Sequence, residues 1–484
     1  MDALALARWQ FAITTVYHFL FVPITIGLSA VVAYYHTRWV RRRQPADLRI
    51  TKFLGRLFTI NFALGLVTGI VQEFQFGMNW SDYSRFVGDI FGAPLAMEAL
   101  LSFFLESTFL GLWIFGWGKL PEKLHAATMW VVHIGTVISA YFILAANSFM
   151  QHPVGYHINP ANARAELTDF GAVLTNKVQL VTFPHTVTAA YMVGGAVVLG
   201  VGVYRMRRAD VGEDGPMYRR MTRVGAWLTL VAGLAVAFTG DLQGKIMTEV
   251  QPMKMAAAEA LYDTADNCAP FSLFTIGSLD GTQERFSITL PCLLSFLGTG
   301  SFSGSVQGIN DIQGQYKQQY GQSGNPLVFD ATYLPNIPLA YWSFRLMIGV
   351  GILAALIAVC TLWATRRGRI LTRRDSRWDR LWTWAAVLTP LLPVLGAAFG
   401  WIFTETGRQP WLVFGLMVTA TGVSPSVSAG EVVTSLVVLT LLYGILAVVE
   451  ISLFLYYVRK GPEEFVEPLP PDETDEDAPL VFAY

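Results

Sequence analysis

Four side chains that can bind iron lie in or at the ends of stretches otherwise suited to hydrocarbon: His18, His185, Met347 and Glu405. Two more acids, Glu98 and Glu106, share one such stretch, PLAMEALLSFFLES. Ionisable groups in lipid are costly, and each is by default a functional hypothesis. His and Met together form an axial pair for low-spin haem iron, the Met raising the potential. Plainer readings compete: a Met filling an apolar helix, a His bonding at a helix end, a salt bridge from Glu405 to Arg408. Glu98 and Glu106 stand eight residues apart, which on an α-helix is two turns and about 80° around the wheel. Two carboxylates stacked in this way suit a proton relay; the alternative is hydrogen bonding to neighbouring helices. Asn147 either extends the relay or packs helices together. His133 sits mid-helix, where it could pair with an acid, while His36, His125, His152 and His157 read as ordinary helix-end and loop residues.

Holding such groups requires membrane helices, and the composition supplies them. The chain of 484 residues is 53% hydrophobic and 14% charged, against roughly 25% charged in soluble proteins. A net charge of −1 argues against nucleic acid as a partner. Nine apolar segments have spanning length, at roughly 11–36, 54–76, 94–117, 125–148, 184–204, 221–240, 339–363, 382–405 and 432–457. The expected fold is an all-α polytopic membrane protein. Phe11 to Tyr35 is too long for the apolar core of a signal peptide and no cleavage site follows, so the first span is expected to stay.

The connections alternate in charge. Arg38, Arg41, Arg42, Arg43, Arg49 and Lys52 follow the first span; Arg205, Arg207, Arg208, Arg219, Arg220 and Arg223 surround the fifth connection. Arg366, Arg367, Arg369, Arg373, Arg374, Arg377 and Arg380 fill the seventh, and the even connections are poor in Lys and Arg. The positive-inside rule then puts the N-terminus outside and the C-terminus in the cytoplasm, as an odd number of crossings requires. At about 1.5 Å per residue, His18 and Met347 lie some two turns below the outer surface. His185 and Glu405 fall at outer helix ends, so all four candidate ligands occupy the outer half of the membrane.

Residues 241–338 form a polar insert on that same outer side, far longer than an ordinary loop, and long loops tend to be functional. It divides the chain into a six-helix region at 1–240, the insert at 241–338, a three-helix region at 339–460 and an acidic tail at 461–484. Cys268 and Cys292 both lie in the insert: a disulfide if it faces an oxidising compartment, two free thiols otherwise. Cys360, in an apolar span, reads as a small packing residue. On residue types alone, a multi-pass proton-coupled transporter or channel without haem accounts for the buried acids as well as a redox protein does.

Longer strings narrow this. RWQFAITTVYHFLFVPITIG at 8–27, EFQFGMNWSDYSRFVGDIFGAPLAMEALLSFFLESTF at 73–109 and FPHT at 183–186 come first. KMAAAEA at 254–260, FRLM at 344–347 and GWIFTETGRQPW at 400–411 follow. In order, and along nearly the whole chain, these resemble subunit I of the cytochrome bd-type quinol oxidases.

The resemblance implies three haems: low-spin b558, high-spin b595, and the chlorin haem d (or a b-type substitute) where O2 binds. It matches His185 and Met347 to the axial pair of b558, with Arg345 near a propionate. His18 and Glu405 match the ligands of the two high-spin haems, without deciding which takes which. Trp401 would lie between haems, and Arg408 would serve a propionate or the structure. Glu98 and Glu106 match acids of proton supply and charge compensation. The insert corresponds to the quinol-binding Q-loop, with Lys254 and Glu259 as quinol-site residues that would be near neighbours on one helical turn.

The implied activity is oxidation of quinol (ubiquinol or menaquinol) at the outer face and reduction of O2 to water with protons from the cytoplasm. That would charge the bacterial inner membrane without pumping. The implied partners are a homologous subunit II and a small single-helix subunit. The chain departs from the pattern in three ways: the insert is of the shorter kind, Cys268 and Cys292 fall outside the general pattern, and His133 stands where no such residue is expected.

Overall fold

The computed structural model describes residues 2–208, 212–278, 283–371 and 376–466. The tail at 461–484 lies largely outside the described residues. Among the described residues, eight helices are long and apolar enough to cross a membrane, and a bent pair brings the number to nine. They are α1 (Ala3–Arg42), α2 (Pro45–Met78), α3 (Ser81–Phe115), α4 (Glu122–Gln151), α5 (Lys177–Met206) and α6 (Gly215–Val250). After the insert, which carries the short α7 (Pro252–Glu259), come α8 (Ile337–Ala364), the bent pair α9 (Arg377–Leu388) and α10 (Leu391–Gly407), and α11 (Ala429–Lys460).

Local signals set the helix ends. Asp2 caps α1 by accepting from the Ala5 amide at 2.8 Å, and Asn336 caps α8 by accepting from Leu339 at 3.0 Å. Ser428 and Glu431 cap α11 reciprocally, the one bonding the other's amide. Pro45 at the start of α2 and Pro252 at the start of α7 occupy first-turn positions that lack a bonded N–H in any case.

The sequence expectations need adjustment in several places. Helices α1, α2 and α5 begin at Ala3, Pro45 and Lys177, earlier than the expected 11, 54 and 184, so His185 lies about two turns inside α5 and not at its end. Helix α6 runs to Val250, ten residues past the expected end, so the first part of the presumed insert is helix. The eighth span is broken, α9 and α10 meeting at 46°. The third begins at Ser81 rather than near 94, and its middle, Glu98–Phe103, is a π-helix. Cys360 is exposed rather than packed, which puts it on a face turned outward from the bundle.

The bundle is tightest where small residues let backbones meet, as membrane helices require. A Cβ added at Gly27 of α1 would lie 2.6 Å from the Gly194 Cα of α5, and one at Gly195 would lie 2.9 Å from the Gly225 carbonyl of α6. The largest apolar cluster, including Tyr35, Phe58, Trp113 and Tyr218, fills the half of the bundle next to the arginine-rich connections. A hairpin of β1 (Tyr156–Asn159) and β2 (Arg164–Leu167) lies in the connection between α4 and α5. The insert holds a second hairpin, β3 (Phe271–Gly277) with β4 (Glu284–Leu290), and short helices at Leu293–Thr299 and Ile309–Tyr316. Cys268 and Cys292 are joined by a disulfide across the base of this hairpin.

Candidate functional site

His18 on α1 and His185 on α5 are held in the same way. His18 Nδ1 lies 3.0 Å from the Thr68 hydroxyl of α2, and His185 Nδ1 lies 3.1 Å from the Thr239 hydroxyl of α6. Each threonine has one hydroxyl hydrogen, and each gives it to its own helix: Thr68 to the Gly65 carbonyl at 2.9 Å, Thr239 to the Ala235 carbonyl at 2.8 Å. The threonines must therefore accept from the histidines, which fixes both imidazoles with Nδ1 protonated and the Nε2 lone pair free. That is the form in which a histidine binds a metal, with its other nitrogen oriented by an outer partner.

A glycine follows each threonine and makes room beside the ring. A Cβ at Gly69 would sit 3.1 Å from His18 Cε1, and one at Gly240 would sit 3.2 Å from His185 Cε1. Met347 on α8 has a similar companion in α10, for a Cβ at Gly400 would come within 2.9 Å of its sulfur. The next residue, Trp401, stacks on Phe19 at 5.1 Å, beside His18. Helix α10 thus touches Met347 with one residue and the surroundings of His18 with the next.

Glu405, one turn on, is bound by Arg408 and accepts from the Asn147 amide at 2.9 Å. The salt bridge that the short spacing allowed is therefore formed. Asn147 serves Glu405, not the Glu98 and Glu106 pair. Gln151, one turn from Asn147, accepts from the Lys254 ammonium, and its carbonyl accepts from Gln251 at 2.8 Å. Lys254 is buried, and burial together with the nearby Arg408 pulls its pKa down to about 7.

Glu259 closes α7 but faces elsewhere. It accepts from Arg345 at 2.6 Å and from the Ser272 amide of β3 at 3.0 Å. Burial raises its pKa to about 7 despite the Arg345 guanidinium beside it. Lys254 and Glu259 are thus not near neighbours on one turn, as their placement in one helix suggested. Five residues advance about 140° around an α-helix beyond a full turn, so the two side chains serve opposite sides of α7.

Arg345 Nε and Nη1, Arg408 Nε and Trp401 Nε1 are buried donors without a protein partner among the described residues. Buried donors of this kind need acceptors. Two guanidiniums and an indole, set among two Nε2 lone pairs, a thioether and a carboxylate, form a donor set that fits haem carboxylates and iron.

On α3, Glu98 accepts from the Ser139 hydroxyl of α4 at 2.8 Å, and the Glu106 side chain packs on Gly135, one turn away on α4. The expected 80° offset assumed a regular α-helix. The π-helical stretch between the two acids absorbs a residue, so they stand about as two residues a heptad apart, roughly 20° out of line. Both acids therefore face α4. His133 has no acidic partner among the described residues: its Nδ1 lies 3.0 Å from Ser29 and its Nε2 3.1 Å from Tyr191.

The chain matches the family described as cytochrome bd terminal oxidase subunit I over residues 6–462. It belongs to that family. It is 44% identical over 467 residues to the cytochrome bd ubiquinol oxidase subunit 1 of Bacillus subtilis (strain 168), covering 96% of this chain and 95% of the relative. The cytochrome bd-II ubiquinol oxidase subunit 1 of Escherichia coli (strain K12) is 35% identical over 509 residues, covering 95% and 97%. The fold is similar to that of the bd oxidase from Geobacillus thermodenitrificans, with a TM-score of 0.82 at 25% identity, covering 95% of this chain and 99% of that one.

The oxidase subunit is accordingly a multi-pass bacterial membrane protein and part of a quinol:O2 oxidoreductase. Membership in this family implies haem cofactors, a quinol substrate and a second subunit. Sequence reasoning missed Thr68, Thr239 and Gln151. The first two stand in Thr-Gly dipeptides at 68–69 and 239–240, but the same dipeptide recurs at 299–300, 406–407 and 421–422, so it does not single them out.

Proposed function

We propose that this oxidase subunit holds the three haems of a bd-type oxidase in the half of the membrane next to the insert. His185 and Met347 would be the axial ligands of b558. His18 and Glu405 would ligate b595 and haem d, in an order left open. The observation that carries this reading is the pair of threonine-held histidines, each with an Nε2 that bonds no protein group among the described residues. When bound, the haems supply electron carriage from quinol and the iron at which O2 is reduced.

The protein's own groups manage position and protons. Arg345 and Arg408 offer their unpartnered N–H groups to propionates, and Trp401 lies between the Met347 and His18 environments. The insert acts as the Q-loop. There the two residues act from opposite sides of α7: Lys254 donates a hydrogen bond to a quinol oxygen from the Gln151 side, and Glu259, with a pKa near neutrality, accepts a proton released on oxidation from the Arg345 side. Glu98 and Glu106, both facing α4, pass protons inward from the arginine-rich side. With the N-terminus outside, that side is cytoplasmic, and charge separation follows from taking and releasing protons on opposite faces without a pump. A small single-helix subunit completes the complex beside subunit II.

A reduced-minus-oxidised absorption spectrum of the purified complex tests the reading. Three haem signals, two of b type and one chlorin, are expected; a complex lacking them overturns the three-haem assignment.

A further inference from the structure

The β3–β4 hairpin is built with its apolar side out. Cross-strand partners share a face, and Phe274 pairs with Ile288 while Ile276 pairs with Phe286. These four residues form one face, and each is between 38% and 53% exposed. The other face carries Thr275 opposite Ser287 and Ser272 opposite Thr289. Ser272 and Thr275 are buried, Ser272 bonding the Tyr341 hydroxyl of α8 at 2.7 Å. In water this arrangement is upside down, because an exposed apolar patch of this kind marks a contact surface.

Helix α8 shows what covers it. Leu339, Trp342, Leu346, Leu353, Leu356 and Trp363 form an exposed apolar stripe along its length. Tryptophans concentrate at the two membrane–water interfaces. Trp342 and Trp363 are 21 residues apart in the sequence, or about 31 Å along a helix, close to the roughly 30 Å of a hydrocarbon core. Trp342 therefore marks the interface on the insert side. Phe274 of the hairpin meets it edge-on at 5.4 Å, so the apolar face of the hairpin continues the lipid-facing stripe of α8 at interface depth.

We propose that the β3–β4 hairpin is a membrane-interface element, seated with Phe274, Ile276, Phe286 and Ile288 in the headgroup–acyl boundary of the leaflet beside Trp342. Its occupant is phospholipid. The same hairpin holds Glu259 through the Ser272 amide. On the quinol-site reading above, the seat therefore ties the proton acceptor to the surface from which a membrane-dissolved quinol arrives.

The test uses the complete oxidase complex in bilayer nanodiscs, with the photoreactive residue benzoylphenylalanine placed at one position at a time. Phe286→benzoylphenylalanine is expected to give a phospholipid adduct by mass, as is Trp363→benzoylphenylalanine, the lipid-facing control. Ser287→benzoylphenylalanine, on the opposite face, is expected to give none. An unaltered pigment spectrum shows that each variant has assembled. A polypeptide adduct at position 286, or no adduct there while position 363 labels with lipid, overturns the seat. Ile276→Asn with Ile288→Asn is expected to raise the KM for membrane-embedded quinol several-fold with kcat retained, and an unchanged KM overturns the tie to substrate arrival. Failure of the quinol-site reading is separate, and would appear as full turnover in Glu259→Gln.

Discussion

His185 Nδ1 lies 3.1 Å from the Thr239 hydroxyl, whose own hydrogen is committed to Ala235. The histidine is therefore the donor, and an imidazole that donates from Nδ1 is a more basic ligand at Nε2. Thr239→Val keeps the shape and removes the acceptor. The low-spin haem potential is expected to rise by the worth of one hydrogen bond, about 1 kcal/mol, or roughly 40 mV for one electron. Thr239→Ser should restore it. A redox titration followed at the b558 band makes the measurement, and equal potentials in the Val variant and the parent would remove Thr239 from the ligand's environment.

Met347 faces Gly400 across the α8–α10 contact. Met347→Leu preserves volume and loses the sulfur, so the low-spin b558 signal is expected to disappear while the O2-binding spectrum survives. Gly400→Ala probes the same place sterically, since the new Cβ would fall 2.9 Å from the sulfur, and a diminished b558 band is expected there too. An unaltered b558 band in Met347→Leu would exclude the ligand assignment.

The spans, the candidate ligands and the position of the insert were legible because lipid imposes length and hydropathy on every crossing. The partners of those residues were not. The alignment of Glu98 with Glu106 depends on a π-helical segment that no α-helical wheel contains. The separation of Lys254 from Glu259 depends on Gln151 and Arg345, which lie about a hundred and about ninety residues away in the chain. Thr68 and Thr239 are ordinary helix residues by type, and only the packing of α1 on α2 and of α5 on α6 shows that each faces a histidine.

On the proposed role of Glu259 as proton acceptor, the quinol reaction has a definite expected pH dependence. The Glu259 pKa is raised to about 7, and a proton acceptor works only when deprotonated, so kcat/KM for quinol should climb as pH rises through about 7. Lys254, whose pKa is lowered to about 7, loses its charge over the same range, so the climb should level off or turn over above it. Glu259→Gln should abolish the rising limb, at a cost of roughly 100-fold or more in rate. A rising limb that persists in this variant would assign the proton to another group.

The chain Tyr191–His133–Ser29 separates structure from proton traffic. Ser29 donates its hydrogen to the Ile26 carbonyl at 2.9 Å, so it accepts from His133 Nδ1, and His133 Nε2 accepts from Tyr191. A chain that ends on a backbone carbonyl has nowhere to deliver a proton; it clamps α1, α4 and α5 together near the Gly27–Gly194 crossing. His133→Ala should therefore leave turnover and the proton-to-electron ratio unchanged. It should also destabilise the bundle by about 2 kcal/mol, from the buried volume and hydrogen bonds lost, seen as a lower thermal midpoint of the pigment. A slowed oxidase of unaltered thermal stability would instead put His133 on the proton path.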